Sequence, residues 1–179
     1  MEVGKPGNIN YEKDKKKMKS TESIFYDTAN TDDIDELIRL RIAYMIDDFG
    51  SITDHERECM EKHLPDYFRR KLGTELVAFV ARAEGRLVAA AYLYIMEKPA
   101  SVILTNGLDG EVLSVYTEPA YRGQGICTRL MKNLVEYGRE HKLCRIDLMA
   151  TEEGYPVYKK VGFVDKVQKW TDMQLKFDR

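Results

Sequence analysis

The stretch that most narrows the fold runs from residue 111 to residue 150, where a strand pattern, a glycine-bearing turn, an amphipathic helix and a second strand pattern follow in order. EVLSVYT (111–117) and CRIDLMA (144–150) read as the strands. Between them Ile126, Leu130 and Leu134 form one apolar stripe with Met131 and Val135 beside it, while Arg129, Lys132, Asn133, Glu136 and Arg139 face away. Strands joined through a helix pair in parallel, and the crossover is right-handed. The chain is therefore predicted to hold an α/β unit, and the rest of the sequence has to extend that sheet or cover it.

The flanking patterns do both. LVAFVARA and LVAAAYLYI, separated by a tight turn at Glu84 and Gly85, read as an antiparallel hairpin apolar enough for a central place in the sheet. Before it come a short strand at Ile24, Phe25 and Tyr26, a helix capped by Thr31 that carries Ile34, Leu37, Ile38, Ile42 and Met45, and a second helix. This second helix opens with the capping-box spacing Thr53 and Glu56, is interrupted or kinked at Pro65, and closes at Gly73. Residues 101–104 hold part of a further strand inside a loop, a short helix covers 156–160, and Phe163 with Met173 to Phe177 supplies closing strands. The expected architecture is a mixed central sheet of about six to seven strands flanked by helices. With 179 residues the chain fits one domain, over 23–179, preceded by a basic tail over 1–22 that holds Lys13, Lys15, Lys16, Lys17 and Lys19.

Composition removes several function classes. Lys plus Arg number 28 against 30 Asp plus Glu, a net charge of −2, so there is no overall positive field for a nucleic-acid backbone, and nucleic acid is not an expected partner. No segment approaches the roughly 20 apolar residues of a membrane span and the N-terminus lacks an apolar leader, so a cytoplasmic protein with no membrane role is expected. Cys59, Cys127 and Cys144 lack paired spacing and read as reduced thiols. His55, Cys59 and His63 share a helix face, but eight residues of helix rise about 12 Å, too far for all three to ligate one ion, so no metal site is expected. Met45, Met60, Tyr67 and Phe68 read as core by their helical spacing. A homodimer is left open.

The chemistry-bearing feature is Arg122-Gly123-Gln124-Gly125-Ile126-Cys127-Thr128. Glycines there let the backbone turn sharply and let a ligand approach, while the unpaired amides and positive dipole end of the following helix attract phosphate. The spacing is neither a P-loop nor a dinucleotide-binding fingerprint, and on the glycines alone a plain strand-to-helix turn serves as well.

The run LSVYTEPAYRGQGICTRLM, followed by YPVYKKVGF, resembles the GNAT N-acetyltransferase superfamily. Its Arg/Gln-x-x-Gly-x-Gly/Ala signature matches residues 122–127, except that Cys127 stands where Gly or Ala is usual. The resemblance implies a GNAT-like fold in which a splayed parallel strand pair binds acetyl-CoA as cosubstrate. It further implies that Val115 pairs its backbone with the pantetheine arm, that Arg122, Gly123, Gln124, Gly125, Ile126, Cys127 and Thr128 meet the phosphates, and that Thr151 stands where many relatives have Asn. Tyr158, in the pattern Y-x-x-x-G-F, corresponds to the general acid that protonates the leaving thiolate, though a core tyrosine would have the same sequence. Family members that use a side-chain base place it at the positions of Glu111 or Asp109, and others use ordered water. Strand alternation would put both acids on the face of Val115.

The function implied is transfer of an acetyl group to a primary amine of a small molecule or peptide, by direct attack in a ternary complex, with the acceptor entering beside the first two helices. The acids Asp47, Asp48, Asp54, Glu56, Glu58 and Glu61 there suit a cationic amine or an ordinary solvated helix face. The alternative is a CoA-binding regulatory or structural module without turnover.

Overall fold

The computed structural model describes residues 23–167 and 171–177; the basic segment 1–22 lies outside them. β1 (Phe25–Thr28) leads through a 3-10 turn (Thr31–Asp33) into α1 (Ile34–Phe49) and α2 (Asp54–Lys71). β2 (Leu76–Ala83), β3 (Arg86–Glu97) and β4 (Leu108–Thr117) follow, then a 3-10 turn (Pro119–Tyr121), α3 (Ile126–Glu140), β5 (Arg145–Asp147) and α4 (Tyr155–Lys160).

The strands form one sheet in chain order β1 to β5, antiparallel throughout except for the parallel pair β4–β5. It has five strands among the described residues, not six to seven. Residues 101–104 form a turn closed by the Ser101 amide donating to the Leu104 carbonyl at 2.9 Å. Residues 163–167 and 171–177 form no strand, and Met173, Leu175 and Phe177 are exposed.

Local chemistry sets the helix starts. Asn30, one residue before the expected Thr31, caps the first turn: its side chain accepts from the Asp32 amide at 2.7 Å while Asp33 accepts from the Asn30 amide at 2.9 Å. The Thr53–Glu56 capping box opens α2 as predicted. Pro65 sits inside α2 without ending it, and Arg69, Arg70 and Lys71 complement the negative end of the helix dipole.

β2 and β3 are apolar on both faces because both are covered. On one side Phe79, Leu93 and Val112 pack with Ile126, Leu130 and Leu134 of α3 and Tyr158 of α4. On the other Val80, Leu87 and Tyr92 pack with Leu37 and Leu40 of α1 and Phe68 of α2. Each fully buried Leu is worth about 1.5–3 kcal/mol. Arg82 fastens the start of α1 to the sheet by bonding both Asp27 and Asp33.

Two features of β4 shape what lies beside it. Ala90 pairs with Tyr116 and Tyr92 with Leu113, so Ser114 and Val115 together oppose Ala91, and Ser114 adopts φ 54° at this bulge. Side-chain alternation therefore slips there: Val112 and Val115 both face α3, whereas Leu113 and Tyr116 face α1 and α2. Glu111, paired with Tyr94, belongs to the second face and so lies opposite Val115, contrary to the alternation expected from sequence. The parallel pairing with β5, moreover, covers only Asp109 to Glu111, after which the two strands part.

Candidate functional site

Where β4 and β5 part, a cleft of about 1270 Å³ passes through the sheet. Residues 111–117 of β4, including Val115, line it, so the edge of β4 that β5 leaves uncovered faces open space. One end reaches the loop before α3, and the other opens between α1 and α2.

At the loop end, Gly123 and Gly125 have φ of 74° and 78°, and a Cβ built on either meets nothing within 4 Å. The backbone is thus turned in a way glycine adopts freely, with room beside it for a ligand. Gly125 is the N-cap of α3 and offers no side chain to the first helical amides, leaving them available to an anion. Ile126, buried, pins this turn to the core. Cys127 and Thr128 line the cleft, and burial pushes the Cys127 thiol up. Gln124 does not line it; its side chain donates back to the Ala120 carbonyl at 3.3 Å. Arg122 donates to the Thr117 carbonyl at 2.9 Å and to Asp47 at 2.8 Å. Thr151 lines the opposite wall, where its hydroxyl accepts from the Gly154 amide at 3.2 Å and fixes the turn into α4.

Tyr158, on α4, lines the cleft from the core. Its ring is 8% exposed and packs edge-on against Phe163 at 6.2 Å, so the core-tyrosine reading and the cleft reading both describe it. Burial, reinforced by Cys127 and Tyr44, raises its pKa to about 12, so the phenol keeps its proton at neutral pH. A Cβ at Gly154 would stand 2.7 Å from the ring, so only glycine there lets the tyrosine lie where it does.

The two candidate bases differ sharply. Glu111 lines the cleft and makes no side-chain hydrogen bond or ion pair among the described residues. Asp109, 2% exposed, does not line it. Burial pushes its carboxyl up, but hydrogen bonds from Arg145 and Lys98, at 3.1 and 2.6 Å, outweigh that and hold it below the usual range. It closes the paired end of β4–β5 as an ionised anchor, which removes it as a base.

Met45, Tyr67 and Phe68, read from helical spacing as core, also line the cleft, as do Arg41 and Tyr44, which sequence reasoning did not single out. Of the six acids weighed on the first two helices, Asp47 and Asp48 reach it. Among the described residues no three His, Cys, Asp or Glu side chains gather as a metal would need, and no helix is long and apolar enough to cross a membrane.

A mixed α/β sheet opened beside a glycine-turned helix N-terminus defines a fold with a built site for an anionic, extended ligand, and comparison with known proteins gives the family. Residues 39–163 match the pattern of the Acetyltransferase (GNAT) family, and the chain belongs to that family. It is 32% identical over 97 residues to the glucosamine 6-phosphate N-acetyltransferase of Trypanosoma brucei brucei, covering 53% of this chain and 63% of that protein. It is 34% identical over 97 residues to glucosamine 6-phosphate N-acetyltransferase 1 of Oryza sativa subsp. japonica, covering 53% of this chain and 57% of that one. The chain thus spans less than two thirds of the length of either curated relative. A predicted acetyltransferase from Clostridium acetobutylicum, solved with acetyl-CoA, superposes with a TM-score of 0.74 at 31% identity, over 85% of this chain and 96% of that one.

Proposed function

We propose that the chain is an N-acetyltransferase that uses acetyl-CoA as cosubstrate and acetylates a primary amine by direct attack in a ternary complex. The observation that carries this reading is the continuity of one cleft from the uncovered edge of β4, past the Tyr158 ring, to the glycine loop at the N-terminus of α3. The residues fit the cosubstrate: Gly123 and Gly125 leave open space where a phosphate needs it, and the β4 edge offers backbone groups to an amide-bearing arm.

When bound, acetyl-CoA supplies a thioester carbonyl and a thiolate leaving group. The backbone around Val115 holds the extended arm as an added strand, and the amides of residues 123–128 hold the pyrophosphate. An alkyl amine with a pKa near 10.4 arrives protonated, so Glu111, directly or through a water it holds, takes a proton to free the lone pair. Tyr158, still protonated, gives its proton to the departing sulfur.

The test is release of free CoA thiol with a panel of primary amines headed by glucosamine 6-phosphate, the acceptor named for the curated relatives. Turnover is expected. Ligand-raised melting temperature with no thiol released across the panel would turn the reading to a CoA-binding module.

A further inference from the structure

Charge is unevenly placed along the cleft. Two arginines line it, and Arg122 is paired with Asp47 at 2.8 Å. Arg41 has neither a carboxylate within 4 Å nor a hydrogen bond among the described residues. It nonetheless stays in the cleft: its guanidinium lies 5.4 Å from the centre of the Tyr44 ring, a cation–π contact that holds the head against the wall. Tyr67 and Tyr92 line the cleft together with Arg41. The Tyr92 hydroxyl already donates to the Leu37 carbonyl at 3.2 Å, but that of Tyr67 makes no hydrogen bond among the described residues.

The Arg41 guanidinium, half-buried and held by a cation–π contact alone, leaves its hydrogen-bonding fork unused, and that fork matches the planar or tetrahedral oxygens of a carboxylate or phosphate. The nearby acids do not fill that place. Asp47 is engaged by Arg122, Asp48 lies beside the Tyr44 hydroxyl, and Glu111 has no partner. This half of the cleft thus presents an unpaired cation with a free phenol, and separately an unpaired acid on the same face of β4.

Deepening the acetyl-transfer reading, on which it rests, we infer that the acceptor is a primary amine that also bears an oxyanion, which Arg41 and the Tyr67 hydroxyl hold while Glu111 meets the amine. Arg41 is then the residue that selects among amines.

The experiment compares matched acceptors by calorimetry in the presence of saturating CoA: glucosamine 6-phosphate against glucosamine for a phosphate, and an α-amino acid against its amide for a carboxylate. In one of the two pairs the anionic member is expected to bind about 10- to 100-fold more tightly, the range for hydrogen bonds to a charged group, and that pair identifies the oxyanion. Arg41→Ala should erase the difference and Arg41→Lys, which keeps the charge without the fork, should retain part of it. Arg41→Gln carries the same comparison should Arg41→Ala melt early. Equal binding within both pairs, or a preference that survives loss of the guanidinium, overturns the inference. A preference that depends on Arg41 without thiol release leaves the oxyanion site standing and sinks the transfer reading instead.

Discussion

Arg122 Nη2 lies 2.8 Å from Asp47 Oδ2, so the last turn of α1 is tied to the loop that leads into α3. The pair is exposed on both sides and contributes little to stability, but it keeps the arginine beside the amides of the loop. Under the proposed function, an incoming pyrophosphate would compete with Asp47 for that guanidinium. Arg122→Ala should therefore weaken acetyl-CoA binding about 10-fold, whereas Asp47→Asn should bind at least as tightly as wild type. Calorimetry on both variants decides it; loss of affinity in Asp47→Asn would mean that the carboxylate supports the arginine and does not compete for it.

Gly125→Asp should abolish acetyl-CoA binding. The position has φ 78° and open space beside it, and a carboxylate there would occupy that space with the wrong charge. A folded variant, judged by circular dichroism, that keeps wild-type affinity would place the phosphates elsewhere.

Tyr158→Phe should lower kcat by about 10- to 10⁴-fold while leaving cosubstrate affinity nearly intact, since the ring stays and the proton donor goes. The phenol pKa is raised to about 12, so its ionisation should not depress kcat below pH of about 10, the ordinary phenol value. The sign for stability follows: a raised folded pKa contributes fully below that ordinary value and is lost as pH climbs through about 12. Melting curves should show wild type falling relative to Tyr158→Phe across that alkaline window, because burial opposes ionising the phenol and phenylalanine does not titrate, and a wild-type rate in the variant would make the tyrosine purely structural.

Glu111→Gln should slow turnover and flatten the acid limb of kcat/KM, because an amide keeps the shape but takes no proton. Asp109→Asn should instead destabilise by about 1–3 kcal/mol with little change in the pH–rate profile, since Lys98 and Arg145 lose their anion. A carboxyl held below its usual pKa stabilises above the unfolded value near 3.9 and ceases to as pH falls through the folded one. The variant should accordingly show a flatter fall of Tm in acid. An unchanged rate and pH profile in Glu111→Gln would assign deprotonation to a water that backbone groups hold.

The parts of the site that were legible in the sequence are those built by short, contiguous chemistry. The loop over 122–128, Gln124 apart, lines the cleft, as does Tyr158, which the resemblance singled out through Y-x-x-x-G-F; a glycine turn and a single helical turn are fixed by their own residues. Glu111 and Val115 were misread as sharing a face because the bulge at Ser114 is a matter of register with β3, and a serine does not signal one. Met173, Leu175 and Phe177 alternate as a strand would, but alternation says which side chains would be buried, not that a neighbour exists. Arg41 and Tyr67 were invisible as a group because they come from different helices and meet only through packing against the sheet.

The uncovered stretch of β4 has a cost when the cleft is empty. A run of unpaired strand backbone is a template for any extended peptide, including another copy of the same chain, and the gap that admits a ligand admits that too. The protein saturated with ligand withdraws this template, so it should tolerate high concentration and long storage better than the free chain. The propensity to aggregate would then be an inverse measure of how fully the sheet has been completed.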